Sequence, residues 1–345
     1  MTTPIELRSD NAAGAAPEIL AALAAANTGS AAPYGDDELT AQLIETVREV
    51  FEHPGARVFP VLSGTAANSL GLAALTPPWG AVLCHETAHV LRSEGGATSM
   101  FSGGAVMQGL AGVGFRIDVS SLRQALDSVR WGDPHHSQPS VLSLTSPSDF
   151  GTVYGLAQVR ELTEVARARG LRVHLDGARI ANALVAVGCS PAELTWRSGV
   201  DVVSLGATKN GALSTDAIVC FDDVVSEQLV YRVKRAGHVA SKMRFQSAQL
   251  QAYLTDGLWL RLAATANSTM ARLARGVQRL GLELVSGADA NMIFVRVADE
   301  VMDRLERSGL LFYRMGPGML RFVTSFRTTD DEVDDAIARI AAALS

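Results

Sequence analysis

Apolar and polar positions alternate in two rhythms along the chain, and each rhythm predicts an element. Pro17 followed by Glu18 opens a short Ala-rich helix, which Asn27 and Gly29 end. Residues 30–37 form a turn-rich segment containing Pro33-Tyr34-Gly35-Asp36. Leu39, Leu43, Val47 and Val50 then recur at helical spacing with charges between them. Arg57 to Val61 reads as a strand, Ser63-Gly64-Thr65 leads into a helix through Leu75, and Ala81 to Cys84 is a short strand. Farther on, Val141 to Leu144 is a strand, 156–169 a helix, Leu171 to Asp176 a strand, Ala178 to Val187 a helix and Asp201 to Leu205 a strand. Such alternation predicts an α/β fold with a mostly parallel sheet and right-handed crossovers. A long helical stretch covers 242–280. Asn291 to Val297 and Met319 to Ser325 then read as strands, and Asp330 to Leu344 as a closing amphipathic helix. This last block is expected to form a smaller α+β domain over 251–345. The larger domain, with the N-terminal segment, would cover 1–250.

Composition narrows the picture. The 345 residues are 48% hydrophobic and 19% charged, enough for a large core and two domains. Aromatic residues make up only 6%, a mix that suits helices packed tightly on strands. The net charge of −6 offers no broad basic field, which argues against a nucleic-acid partner. Cys84, Cys189 and Cys220 are odd in number and not closely paired, so neither a disulfide framework nor a zinc site is suggested. Met1 to Asn11 is polar and lacks an apolar signal core, and Ile19 to Ala26 is too short to span a bilayer. A cytoplasmic protein without a membrane partner is the expectation.

Five features carry candidate chemistry. Asp176, in Val173-His174-Leu175-Asp176-Gly177-Ala178-Arg179, ends a predicted strand, where ligands of α/β sheets gather. It could keep a pyridinium nitrogen protonated, or simply cap the next helix. Lys209 follows another predicted strand, in Gly206-Ala207-Thr208-Lys209-Asn210-Gly211, within a segment that is otherwise uncharged from Val202 to Thr215. A crowded loop of this kind suits a Schiff-base lysine; the alternative is a solvated loop lysine. Ser63, Gly64 and Thr65 stand at a strand-to-helix junction whose amides and hydroxyls could bind phosphate, with Thr208 adding a hydroxyl. His89 could stack on a planar ring or move protons, and His85 competes for that role. Arg321, on an apolar strand, could present its fork to a carboxylate, or face water at a sheet edge.

The order of these features resembles that of fold-type I pyridoxal-phosphate (PLP) enzymes, the aspartate-aminotransferase-like group. More narrowly, the chain resembles the low-specificity L-threonine aldolases and the related L-phenylserine and L-allo-threonine aldolases. The resemblance runs through Leu7-Arg8-Ser9-Asp10, Tyr34-Gly35-Asp36-Asp37, Ser63 to Asn68, His89 to Gly96, His174 to Ala183, Ala207 to Gly211 and Arg321 to Thr324. It implies that Lys209 carries PLP as a Schiff base, Asp176 pairs with the ring nitrogen, His89 stacks on the ring, and Gly64 and Thr65 hold the phosphate. It further implies that Arg179 and Arg321 bind the amino-acid carboxylate, with Ser9 beside them. A dimer or dimer of dimers is expected, to whose neighbouring site Lys234 and Arg244 would contribute; Tyr34 is a further substrate-side candidate.

One segment departs from the family. Many relatives have a His or Glu in the loop that here reads Thr145-Ser146-Pro147-Ser148-Asp149-Phe150-Gly151. Asp149 stands in for the longer acid on the side that would face the substrate side chain. The implied reaction cleaves the Cα–Cβ bond of an L-β-hydroxy-α-amino acid to glycine and an aldehyde. His89, then His85, are the candidates for the base at the β-hydroxyl. Alternatives on the same scaffold are β-elimination, transamination and hydroxymethyl transfer. A non-catalytic PLP-binding protein is the alternative of another class.

Overall fold

The computed structural model describes residues 3–345, so the first two residues of the polar Met1 to Asn11 segment lie outside it. Strand β1 (Ile5–Glu6) is followed by helices α1 (Pro17–Ala26) and α2 (Glu38–Val50). An α/β series comes next: β2 (Arg57–Val61), α3 (Gly64–Leu75), β3 (Gly80–His85), α4 (His89–Arg92), α5 (Ala97–Ser102) and β4 (Val106–Leu110). The hairpin β5 (Gly112–Val113) and β6 (Arg116–Ile117) precedes α6 (Val119–Asp127), β7 (Gln138–Thr145) and α7 (Leu156–Ala168). Then come β8 (Arg172–Gly177), α8 (Ile180–Val187), α9 (Pro191–Leu194), β9 (Val202–Leu205), β10 (Asp216–Cys220) and α10 (Asp223–Arg235). Helices α11 (Arg244–Leu254) and α12 (Leu258–Arg279) lead to β11 (Met292–Arg296), α13 (Asp299–Arg307), β12 (Leu310–Leu311), β13 (Tyr313–Arg314), β14 (Met319–Val323) and α14 (Asp330–Leu344).

Seven strands form the central sheet in the order β2-β10-β9-β8-β7-β3-β4. Neighbours from β9 through β4 pair in parallel, while β10 runs antiparallel to both β9 and β2. Helices cover both faces, so the inner strands are apolar almost throughout rather than alternating, as Val202-Val203-Ser204-Leu205 illustrates. The polar exceptions satisfy one another. On three adjacent strands, His174 bonds Ser143 through Nδ1 (2.9 Å) and Ser204 through Nε2 (3.0 Å). Burial presses the pKa of this imidazole down to about 4 and keeps it neutral near pH 7.

A second core packs β11 and β14 against α13, α14 and the later turns of α12. Leu258, Trp259 and Ala263 of α12 belong to the large core, whereas Met270, Leu273 and Val277 belong to the small one. Ile5 and Leu7 also pack into the small core, and β1 pairs in parallel with β12. Ile5 and Leu7 therefore pack in the small core before Ala16 and Ile19 enter the large one. The helical stretch expected over 242–280 is two helices, broken at Thr255–Gly257, where Asp256 and Gly257 both take positive φ.

Candidate active site

A cavity of about 450 Å³ opens at the carboxyl ends of the parallel strands, the place where such sheets bind ligands. Lys209, Asp176, His89, Ser63, Gly64, Thr65, Thr208, Arg179, Arg321, Ser9 and Asp149 all line it. Tyr34, His85, Lys234 and Arg244 do not. His85 ends β3 and turns its Nδ1 to Thr87, whose hydroxyl lies at 2.8 Å. Tyr34 and Lys234 meet on the surface instead, the ammonium 4.8 Å from the ring centroid. Arg244 lies over Phe245 at the start of α11.

Lys209 stands on a tight turn that is fixed from both sides. Asp216 Oδ1 accepts hydrogen bonds from the amides of Ala207 (2.8 Å) and Thr208 (2.9 Å). Asn210 donates to the Tyr253 hydroxyl and the Trp259 carbonyl. Gly206 approaches the preceding strand end so closely that a Cβ there would lie 2.1 Å from the Ala178 carbonyl oxygen. The Lys209 amine makes no hydrogen bond or ion pair among the described residues, and burial together with the Arg179 charge lowers its pKa. The chain has only three lysines, Lys209, Lys234 and Lys242, and Lys209 alone lines the cavity.

Asp176 ends β8, only 2% exposed. Its Oδ1 accepts from the Ala178 amide and its Oδ2 from Asn68 Nδ2, both at 3.1 Å. No cation of the described residues forms an ion pair with it. Burying an unpaired carboxylate costs several kcal/mol, more than the roughly 2 kcal/mol that burying a leucine returns. The charges of Lys209, Arg179 and His89 act on it from beyond ion-pair distance, and its position suits a cationic partner in the cavity.

At the start of α3 the Ser63 hydroxyl caps the Ala66 amide (3.3 Å), so the amides of Gly64 and Thr65 are left for a ligand. The Thr208 hydroxyl, buried beside them, has no partner among the described residues. Orphaned donors at one end, an unpaired acid in the middle and a free amine nearby fit the phosphate, ring nitrogen and carbonyl carbon of PLP.

Arg179 and Arg321 close the other end of the cavity. Asp10 grips Arg179 through Nε (2.6 Å) and Nη2 (3.0 Å), leaving Nη1 outside that pair. Arg321 donates to the Arg8 carbonyl and lies over the Tyr313 ring, while its buried Nε has no partner among the described residues. Burial and the neighbouring Arg179 charge lower its pKa. Two guanidiniums this close favour an anion between them.

His89 is held at two points. Its amide donates to Asp149 Oδ2 (3.0 Å), and its Nδ1 lies 2.8 Å from Glu94 Oε1. The bond to Glu94 raises the imidazole pKa. Burial, reinforced by Asp176, pushes the Asp149 carboxyl up to about 6. The Asp149 loop is held by Phe150, which stacks between Phe115 of the β5–β6 turn (3.8 Å) and Phe294 of β11 (4.5 Å).

Several residues received no role from the sequence: Asn68, Glu94, Asp216 and Tyr313, which line the cavity, and Asp10, which holds Arg179 from behind. Asn68 and Glu94 lie within segments that carry the family resemblance, but the bonds that join Asn68 to Glu94 and Asp176 span 26 and 108 residues.

Comparisons with known proteins identify the family. Residues 6–300 match the family model described as beta-eliminating lyase. The low specificity L-threonine aldolase of Pseudomonas sp. is 38% identical over 342 residues, covering 99% of this chain and 98% of that protein. The Pseudomonas aeruginosa protein of the same name is 39% identical, covering 95% of this chain and 94% of its own. The solved Leishmania major threonine aldolase superposes with a TM-score of 0.91 at 24% identity, covering 98% and 99% of the two chains, a likeness of fold. With its model match and full-length identity, the chain belongs to the beta-eliminating lyase family, among the low-specificity L-threonine aldolases.

Proposed function

We propose that this protein is a PLP-dependent aldolase that cleaves L-β-hydroxy-α-amino acids of the L-threonine, L-allo-threonine and L-phenylserine type into glycine and an aldehyde, and catalyses the reverse addition. The observation that carries the reading is the joint placement of unpaired Asp176 and unpaired Lys209 in one cavity. Lys209 would hold the cofactor covalently, Asp176 would face its ring nitrogen, His89 its ring, and the Gly64 and Thr65 amides with the Thr208 hydroxyl its phosphate. When bound, PLP supplies the sink for the electron pair left on Cα as the Cα–Cβ bond breaks.

The protein's own groups then have defined tasks. Arg321, with the free edge of Arg179, grips the substrate carboxylate and so fixes which Cα bond stands perpendicular to the ring. His89 Nε2 accepts the β-hydroxyl proton as the hydroxyl carbon becomes the aldehyde carbonyl. His85, outside the cavity and bonded to Thr87, has no part in this step. A proton delivered to Cα completes glycine. Asp149, in the position where relatives have a longer acid or a histidine, faces the side-chain end of the substrate. Tyr34, Lys234 and Arg244, remote from this cavity, are assigned to the neighbouring site of a homodimer or homotetramer.

Glycine and aldehyde release from L-threonine, L-allo-threonine and L-phenylserine, with the D-isomers as controls, tests the reading. Stoichiometric glycine and aldehyde from the L-isomers is the expected result. Ammonia and a keto acid, or dependence on a keto-acid acceptor, would overturn it.

A further inference from the structure

Resting on that reading, one buried residue acquires a role. Glu94 follows the short helix that carries His89, and Gly95 and Gly96 after it both take left-handed backbone (φ 59° and 76°), reversing the chain into α5. The reversal leaves the Glu94 side chain fully buried at the cavity wall. Its Oε1 lies 2.8 Å from His89 Nδ1 and 2.8 Å from Asn68 Nδ2. Asn68 Nδ2 also donates to Asp176, so both amide hydrogens of Asn68 are spent on the two carboxylates. A carboxylate can only accept, so the hydrogen shared with His89 belongs to Nδ1. His89 Nε2, which bonds no group among the described residues, is the nitrogen left without a proton in the neutral ring.

We infer that Glu94 is a positioning residue that locks His89 in the Nδ1–H tautomer, so that Nε2 is held ready to take the β-hydroxyl proton. Asn68 holds Glu94 in place and ties it to Asp176, so the group at the ring nitrogen and the group at the hydroxyl share one hydrogen-bonded chain, His89–Glu94–Asn68–Asp176. The arrangement follows a general rule, that a base is itself oriented by a third group. The charged groups acting on His89 are Glu94, Asp149 and Asp176.

The test uses the PLP-loaded protein and the variant Glu94→Leu, which keeps the bulk but offers Nδ1 no acceptor, so nothing fixes the tautomer. Glycine release from L-threonine is expected to fall about 100-fold or more in kcat with little change in KM. Glu94→Gln should recover most of the loss, because its oxygen in the Oε1 place can accept from both Asn68 and His89 Nδ1. In the background of His89→Phe, adding Glu94→Leu should cost little more, because one residue acts through the other. Nitrogen-15 NMR of labelled histidine provides a reading independent of turnover. His89, assigned by its absence in His89→Phe, should show a protonated Nδ1 and a bare Nε2 in the parent protein and in Glu94→Gln, and lose that preference in Glu94→Leu. An Nε2–H tautomer in the parent protein, or an unchanged kcat in Glu94→Leu, would overturn the inference. A parent protein that releases no glycine would instead remove the aldolase reading, and the tautomer would still decide the role of Glu94.

Discussion

Asp10 and Arg179 form a two-point ion pair that joins the N-terminal segment to the end of strand β8. The carboxylate side chain is 1% exposed and the guanidinium 14%. Because Ile5 and Leu7 belong to the small core, the pair fastens the segment that leaves that core to the strand end that carries Asp176.

Replacing Asp10 with Ala would leave the Arg179 charge buried and unpaired. A loss of about 3–5 kcal/mol is expected in urea unfolding, with a raised KM for substrate as Arg179 loses its fixed position. Burial opposes ionisation of Asp10, but Arg179 outweighs it and holds the folded-state pKa below the ordinary value. The contribution of the pair is therefore complete above about pH 4 and lost as pH falls through that lowered pKa. An Asp10→Ala protein as stable as the parent at pH 7 would contradict this.

Asn68→Ala removes the donor shared by Glu94 and Asp176. Two buried carboxylates would then each lose a hydrogen bond, costing about 1–3 kcal/mol per unsatisfied group. Chemical denaturation reads the stability loss. Cofactor retention on dialysis should also fall, because Asp176 loses one of its two fixed bonds.

Asp149 titrates in the opposite sense to Asp10. Its carboxyl sits at about 6 in the folded protein against an ordinary 3.8. Ionising it therefore opposes folding: the penalty is absent below about pH 4, grows as pH rises, and is complete above about pH 6. Asp149→Asn, which can still accept from the His89 amide, should stabilise the cofactor-free protein by about 3 kcal/mol at pH 7.5 and by almost nothing at pH 4. Unfolding curves at the two pH values check the difference, and a pH-independent effect would count against it.

Gly206→Ala should be among the most damaging single methyl additions. The new Cβ would collide with the Ala178 carbonyl, forcing apart the strand end that carries Asp176 and the turn that carries Lys209. A destabilisation of about 1–3 kcal/mol is expected. Cofactor affinity should fall more than for a methyl added at Gly29, which has open space around it.

What was legible in the sequence follows from distance along the chain. Asp176 and Lys209 each sit where a short apolar run stops, so local pattern alone marks them as strand-end residues. The Thr255-Asp256-Gly257 break between α11 and α12 also had a local signal, the Asp-Gly pair, but the surrounding helical periodicity masked it. Asn68 and Glu94 were hidden differently. Asn68 acts on a partner 108 residues away, Asp176, and Glu94 acts on His89 across a double-glycine reversal, and no periodicity reports either contact. The same holds for Asp10, 169 positions from Arg179, and for β1, whose partner β12 lies at the far end of the chain. Tyr34, Lys234 and Arg244 came from family resemblance alone, and within one chain they stand away from the cavity.

The central claim is that Lys209 carries the cofactor in this cavity. Borohydride reduction of the PLP-loaded protein, followed by proteolysis and mass spectrometry, tests it most directly, because only three lysines compete. The account predicts the pyridoxyl adduct on the peptide containing Lys209, with no yellow colour, no adduct and no glycine release in Lys209→Ala. An adduct confined to Lys234 or Lys242, or a colourless protein that stays inactive with added PLP, would contradict it.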